Sequence, residues 1–110
     1  MAKPKTALLQ GTLDLIVLHM LQARPTNGWD LTLRIQAVSK DVLSVNAGSL
    51  YPALYRLESR GWIRGEWEET ESNRRAKVYS VTAAGRRELA AERETWARFS
   101  GALASILRNA

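Results

Sequence analysis

The sequence predicts a mainly α-helical fold that carries one small β-hairpin and ends in a long helix. Three observations predict it. Between Gly48 and Glu58, apolar residues recur at helical spacing: at about 100° per residue, Leu50, Ala53, Leu54 and Leu57 fall on one side. Two alternating stretches, Trp62 to Glu69 and Ala76 to Val81, flank a polar turn. Near the end, Leu89, Trp96, Phe99, Leu103 and Ile106 recur at a and d spacing, with Glu92 interrupting one d position.

The elements follow in order. Thr12 to Ala23 reads as the first helix, with one stripe from Leu9, Leu13, Ile16, Val17 and Met20 and a second from Leu15, Leu18 and Leu21. A helix apolar on two sides needs two neighbours, the domain's own core and, on the second side, another subunit. Arg24-Pro25-Thr26-Asn27-Gly28 breaks the pattern, because Pro forces its predecessor out of the α region. Trp29 to Ala37 or Val38 forms the second helix, with Leu31, Ile35 and Val38 on one face and Asn27 or Gly28 near its start. Ser39 to Val45 holds the turn. The third helix begins near Gly48 or Ser49, where Pro52 sits in the first turn and lacks only an N–H that has no partner there. Arg60-Gly61 ends it, with Gly61 as a left-handed cap.

On the first strand Ile63, Gly65 and Trp67 share one face and Arg64, Glu66 and Glu68 the other, the pattern of a half-buried strand. Thr70 to Arg75 supplies the turn, and Val78 opposes Lys77 and Tyr79 on the second strand. Thr82 is placed to cap the last helix, which runs to about Leu107. About three heptads are too few to require a coiled coil. A helix followed by a hairpin with a cationic tip is similar to a winged helix-turn-helix that reads DNA. The expected division is residues 1–82 as a DNA-binding winged helix-turn-helix and residues 83–110 as a C-terminal dimerisation helix.

Composition narrows the function. The chain has 110 residues, room for one domain and one appended element. Hydrophobic residues make up 45%, enough for a packed core. The absence of Cys removes disulfides, thiolate metal sites and Cys nucleophiles, and fits a reducing compartment. Sixteen Lys and Arg against 11 Asp and Glu give a net charge of +5, a modest bias toward a polyanion. Ala7 to Leu21 contains Gln10, Asp14 and His19, with no small-x-small cleavage site after it, so a signal peptide is not expected. No run reaches the roughly 18 apolar residues of a membrane span. A cytoplasmic protein is expected.

The same residues resemble the PadR-like transcriptional regulators. The matching segments are Gly11-Thr12-Leu13-Asp14-Leu15, Asn27-Gly28-Trp29-Asp30-Leu31, Gly48 through Glu58, Ser72 through Tyr79 and Val81-Thr82-Ala83-Ala84-Gly85. The third-helix segment is the most specific of them. Trp29 stands where the family usually has Tyr, and the single C-terminal helix is similar to the compact subfamily. The resemblance implies a homodimeric, usually repressing regulator. Its third helix would enter the major groove, its wing would grip the backbone, and its last helix would make most of the dimer with help from the first.

The candidate contacts follow from residue type. Ser49, Pro52, Tyr55 and Ser59 fall away from the apolar side of the third helix, with Tyr51 and Arg56 at its margins. Hydroxyls, a cation and flat rings suit phosphates and base edges, so Ser49, Tyr51, Tyr55 and Arg56 are the groove candidates. Tyr51 has a plainer role open to it, packing on the second helix; Ser49 has another, capping the third. Arg56 projects, in this reading, away from Leu50, Leu54 and Leu57. Arg74, Arg75 and Lys77 at the wing are candidates for phosphate; they follow the acidic Glu66, Glu68, Glu69 and Glu71, which would repel it. A domain this small cannot cover all of Leu89, Trp96, Phe99, Leu103 and Ile106, which are the expected dimer interface. Dimer core is the plain role of Trp96 and Phe99; the alternative is that two Trp96 rings flank a pocket for a flat aromatic effector. His19 is the single His and has no metal-binding companions; no metal, cofactor or catalytic constellation is expected. The rival to DNA binding is a winged helix that uses the same surface for a protein partner.

Overall fold

Burial of the first helix on several sides organises the domain. The computed structural model describes residues 6–69, 71 and 73–109, with side chains described from residue 11 onward. The Leu9 side chain and the turn residues Thr70 and Ser72 therefore lie outside the described residues. Helix α1 spans Thr6–Ala23, starting earlier than the sequence pattern indicates. Val17 and Met20 from one stripe and Leu18 and Leu21 from the other are all buried within the same chain. Leu18 and Leu21 of the second stripe are thus covered by the chain itself, while Leu13, Leu15 and Ile16 stay half-buried, the last two beside the last helix.

A short strand β1, Thr26–Asn27, follows. Helix α2, Gly28–Val38, is capped by Asn27, whose Oδ1 accepts from the Asp30 N–H at 2.8 Å while its Nδ2 donates to the Asp30 carboxylate at 3.1 Å. Leu31 and Ile35 are buried as expected, but Val38 is 70% exposed: it is the final residue of a helix that outruns the core. Ser39 stabilises the exit, its hydroxyl accepting from the Leu43 N–H at 3.0 Å.

Helix α3 runs Ala47–Ser59. Its N-cap is Asn46, which accepts from the Ser49 N–H at 2.9 Å. Ser49 is therefore three residues inside the helix and does not cap it. The earlier start also moves Pro52 out of the first turn. It sits inside the helix on the exposed side, where the Gly48 carbonyl it leaves without an i+4 donor can take water. Leu50, Ala53, Leu54 and Leu57 are buried. Gly61, at φ 78°, closes the helix: its N–H bonds to the Glu58 carbonyl and that of Trp62 to the Leu57 carbonyl, the double hookup that a left-handed residue permits.

Strands β2, Ile63–Glu69, and β3, Arg75–Val81, form the hairpin, and β1 adds to β3 on its other side. The hairpin is thus part of a three-stranded antiparallel sheet of order β1-β3-β2, with Thr26 opposite Tyr79. Two residues carry too little pattern to be read as a strand. Helix α4, Ala83–Asn109, is capped by Thr82, whose hydroxyl accepts from the Gly85 N–H at 3.0 Å and donates to the Gly61 carbonyl at 2.7 Å. Only its first turns enter the core, through Gly85 and Leu89.

Candidate nucleic-acid interface

Helix α3 presents its polar side outward because its four apolar residues are consumed against the core. Tyr55 is 74% exposed, and Ser49 lies open in the first turn. Tyr51 is half-covered. A Cβ on Gly28 would fall 2.5 Å from the Tyr51 hydroxyl oxygen, so the ring lies against the start of α2 and still shows an edge to solvent. Both roles read for Tyr51 are compatible with that position.

Arg56 requires a correction. Its guanidinium does not project from the face opposite the leucines. It turns toward α1, where Nη2 donates to Asp14 Oδ1 at 2.7 Å, and both side chains are largely covered. At the margin of an amphipathic helix a long side chain can swing either way, and a carboxylate on the neighbouring helix decides the direction. Asp14 thus sets the direction of Arg56, a contact that its helix-start position in the sequence did not disclose.

The wing cations separate into three environments. Arg74 is exposed beside Asn73, which takes φ 62° in the turn. The Arg75 guanidinium lies over the Trp67 ring, 5.4 Å from its centroid. Lys77 reaches back to α3, with Nζ 3.3 Å from Glu58 Oε1 and 5.5 Å from the Tyr79 ring centroid. Burial pushes the Tyr79 phenol above its usual range, and Lys77 pulls the other way. Trp67 departs from the half-buried strand expectation. Burial on that face ends at Gly65, and the indole is 59% exposed. Glu66, Glu68, Glu69 and Glu71 are exposed as well.

At α4 the structure divides the expected dimer stripe. Leu89 is 1% exposed and packs in its own core, so its side chain is not offered to a partner. Trp96, Phe99, Leu103 and Ile106 remain exposed, joined by Leu107. The Trp96 and Phe99 rings lie 5.6 Å apart and wall a cleft of about 230 Å³ with Leu15 and Thr12 of α1. Glu92 lines the same cleft; burial raises its carboxyl above the usual range, and the neighbouring Glu88, which accepts a hydrogen bond from the protonated acid and repels its charged form, adds to this. A second apolar cleft of about 280 Å³ lies between α1, α2 and α4, with His19 and Arg93 at its edge. Among the described residues no cluster of His, Cys, Asp and Glu suits a metal ion, and no helix is long and apolar enough to cross a membrane.

The architecture has close structural relatives. A transcriptional regulator from Clostridium thermocellum is 22% identical, with a TM-score of 0.81 over 90% of this chain and 93% of that one. A PadR-like transcriptional regulator from Bacillus cereus is 20% identical, with a TM-score of 0.76 over 99% of this chain and all of that one, at 100%. A PadR family transcriptional regulator from Eggerthella lenta is 28% identical, with a TM-score of 0.77 over 97% and 92%. No curated protein sequence matches the chain significantly. Residues 17–91 match the transcriptional regulator PadR-like family, a span that takes in α2, α3, the whole wing and the buried start of α4. The chain belongs to this PadR-like family of winged-helix transcriptional regulators, which bind DNA and are not enzymes.

Proposed function

We propose that this regulator acts as a homodimer on an inverted-repeat operator, and that it represses. The observation that carries the reading is the run of Trp96, Phe99, Leu103 and Ile106, open to solvent on a helix that continues past its own core. Burying such side chains is worth roughly 1.5–3 kcal/mol each. A second copy supplies the same stripe by two-fold symmetry, with residues 83–110 as the dimerisation helix and residues 1–82 as the reading domain. The dimer then presents two copies of α3 about one DNA turn, roughly 34 Å, apart. Tyr51, Tyr55 and Ser49 meet the major groove and its phosphates; Arg74, Arg75 and Lys77 meet the flanking backbone. Arg56, engaged with Asp14, positions α3. Repression is the mode that the family resemblance implies, and a cytoplasmic location is part of the same reading.

The Trp96–Phe99 cleft supports an effector as part of the same reading. A flat aromatic ligand seated there would shift α4 against α1 and change the spacing of the two α3 helices. Footprinting on the DNA upstream of its own gene tests the operator. Two protected half-sites, with affinity falling steeply as salt rises, are the expected result. Salt-independent capture of a protein partner, with no protected DNA, would favour the rival interaction module.

A further inference from the structure

Two apolar clefts border the contact between α1 and α4, and they differ in kind. The one beside Trp96 and Phe99 is walled by aromatic rings and includes the Glu92 carboxyl. The one of about 280 Å³ against α2 is walled by aliphatic side chains: Ile16 and Met20 of α1, Ile35 and Val38 of α2, and Leu43 of the turn that follows. No carboxylate lines it, and the side chains at its edge that can carry charge are Arg93 and His19, both exposed. Arg93 has Leu89, Ala90, Trp96 and Ala97 at the neighbouring helical positions, so its own helix offers it no acid. It makes no ion pair among the described residues. At about 100° per residue, Arg93 falls about 120° around α4 from Phe99, on the side away from that aromatic cleft. A guanidinium without a partner thus stands over aliphatic surface.

We infer that this second cleft binds an aliphatic monocarboxylate, with the alkyl chain inside and the carboxylate at Arg93. The lining offers a chain apolar contact but gives a flat ring no aromatic partner. The volume is at the lower end for ligand cavities, which start at roughly 300 Å³, so one short chain fills it. A guanidinium fork matches a carboxylate, and His19 has a ring N–H to donate in either protonation state. One fixed positive charge answers one negative charge; a phosphate monoester would bring nearly two. The occupant also touches the connection from α2 to α3. Ser39 and Leu43 both line the cleft and are joined by the hydrogen bond of 3.0 Å. Between them Lys40 and Asp41 take φ 54° and 68°, values that non-glycine residues adopt at a cost, so the ligand bears on a strained stretch just ahead of the reading helix.

Octanoate titrated into the full-length protein, followed by calorimetry and amide NMR, tests the site. Shifts should concentrate at His19, Ser39, Leu43 and Arg93 and leave the Trp96 indole unmoved. Hexanoate should bind roughly 15-fold more weakly, about fourfold for each methylene lost. Arg93→Gln, at an exposed position, should weaken octanoate about tenfold and leave octanol, which has no charge, nearly unchanged. Val38→Trp, also exposed, should obstruct the cleft and weaken both. Phenylacetate should leave Ser39 and Leu43 unmoved. Equal loss of octanoate and octanol in Arg93→Gln, or affinity that ignores chain length, overturns the proposal. Octanoate shifts centred on the Trp96 indole overturn it in favour of the aromatic cleft. Phenylacetate acting on Ser39 and Leu43 as tightly as octanoate overturns the aliphatic class. Absence of octanoate binding overturns the site outright; if the same amides shift instead when the protein is diluted, the cleft belongs to a second copy of the chain.

Discussion

Helices α3 and α4 are both amphipathic, yet they solve opposite problems. The apolar side of α3 is wholly covered by its own chain, so what it offers outward is hydroxyls and flat rings. The apolar side of α4 is covered only as far as Leu89, so what it offers outward is more apolar surface. A covered apolar face leaves a helix able to meet a wet, charged partner; an uncovered one calls for protein. The division of labour between reading and pairing is thus set by where the core stops.

Substitution in the α4 stripe should have the greatest consequence. Phe99→Asp with Leu103→Asp places two charges in the stripe and forfeits two large burials, roughly 3–6 kcal/mol together before the cost of the buried charges. Sedimentation should show monomers with an intact circular dichroism spectrum; a dimer of unchanged affinity would take the interface away from this stripe. Next come two adjacent residues of α3. Leu54→Ala should destabilise the fold by about 2–5 kcal/mol in thermal unfolding. Tyr55→Ala should leave the melting midpoint nearly unchanged and weaken operator binding by about 1–2 kcal/mol. If both changes act on stability, α3 is a core helix on both sides.

Asp14→Asn leaves Arg56 partly covered without its carboxylate partner, and should cost about 1 kcal/mol of stability, discounted for the exposure that remains. Operator affinity should fall with it, because α3 loses its hold on α1; unchanged affinity would make the pair irrelevant to reading. The least effect concerns Glu92. Its carboxyl titrates above the ordinary range in the fold, so the folded state holds the proton more tightly than the unfolded chain. The penalty is present above the raised value and is lost as pH falls through it. Glu92→Gln should therefore raise stability at neutral pH, and its advantage over the wild type should shrink toward acid. An advantage that does not vary with pH would rule out the carboxylate as its source.

Periodicity made the large elements legible. The leucines of α3, the alternation of β2 and β3, and the Gly61 cap all follow from spacing and residue type. What spacing cannot convey is where neighbouring elements end. Leu89 and Trp96 share one pattern, but the core reaches only the first. Trp67 shares a face with Ile63, but the sheet outruns its cover. Arg56 sits at a margin from which its direction depends on Asp14, far away in sequence. Strand β1 escaped because two residues have no period.

Tyr51 resting against Gly28 has a consequence for anyone redesigning this molecule. The reading helix and the helix behind it are not independent cartridges. A new α3 grafted from another regulator inherits this glycine floor and fits only if its own residue at position 51 can lie flat upon it. A side chain added at position 28 would meet the ring at position 51, which would have to leave its place against the start of α2. Swapping specificity in this scaffold therefore means exchanging two distant positions as one unit.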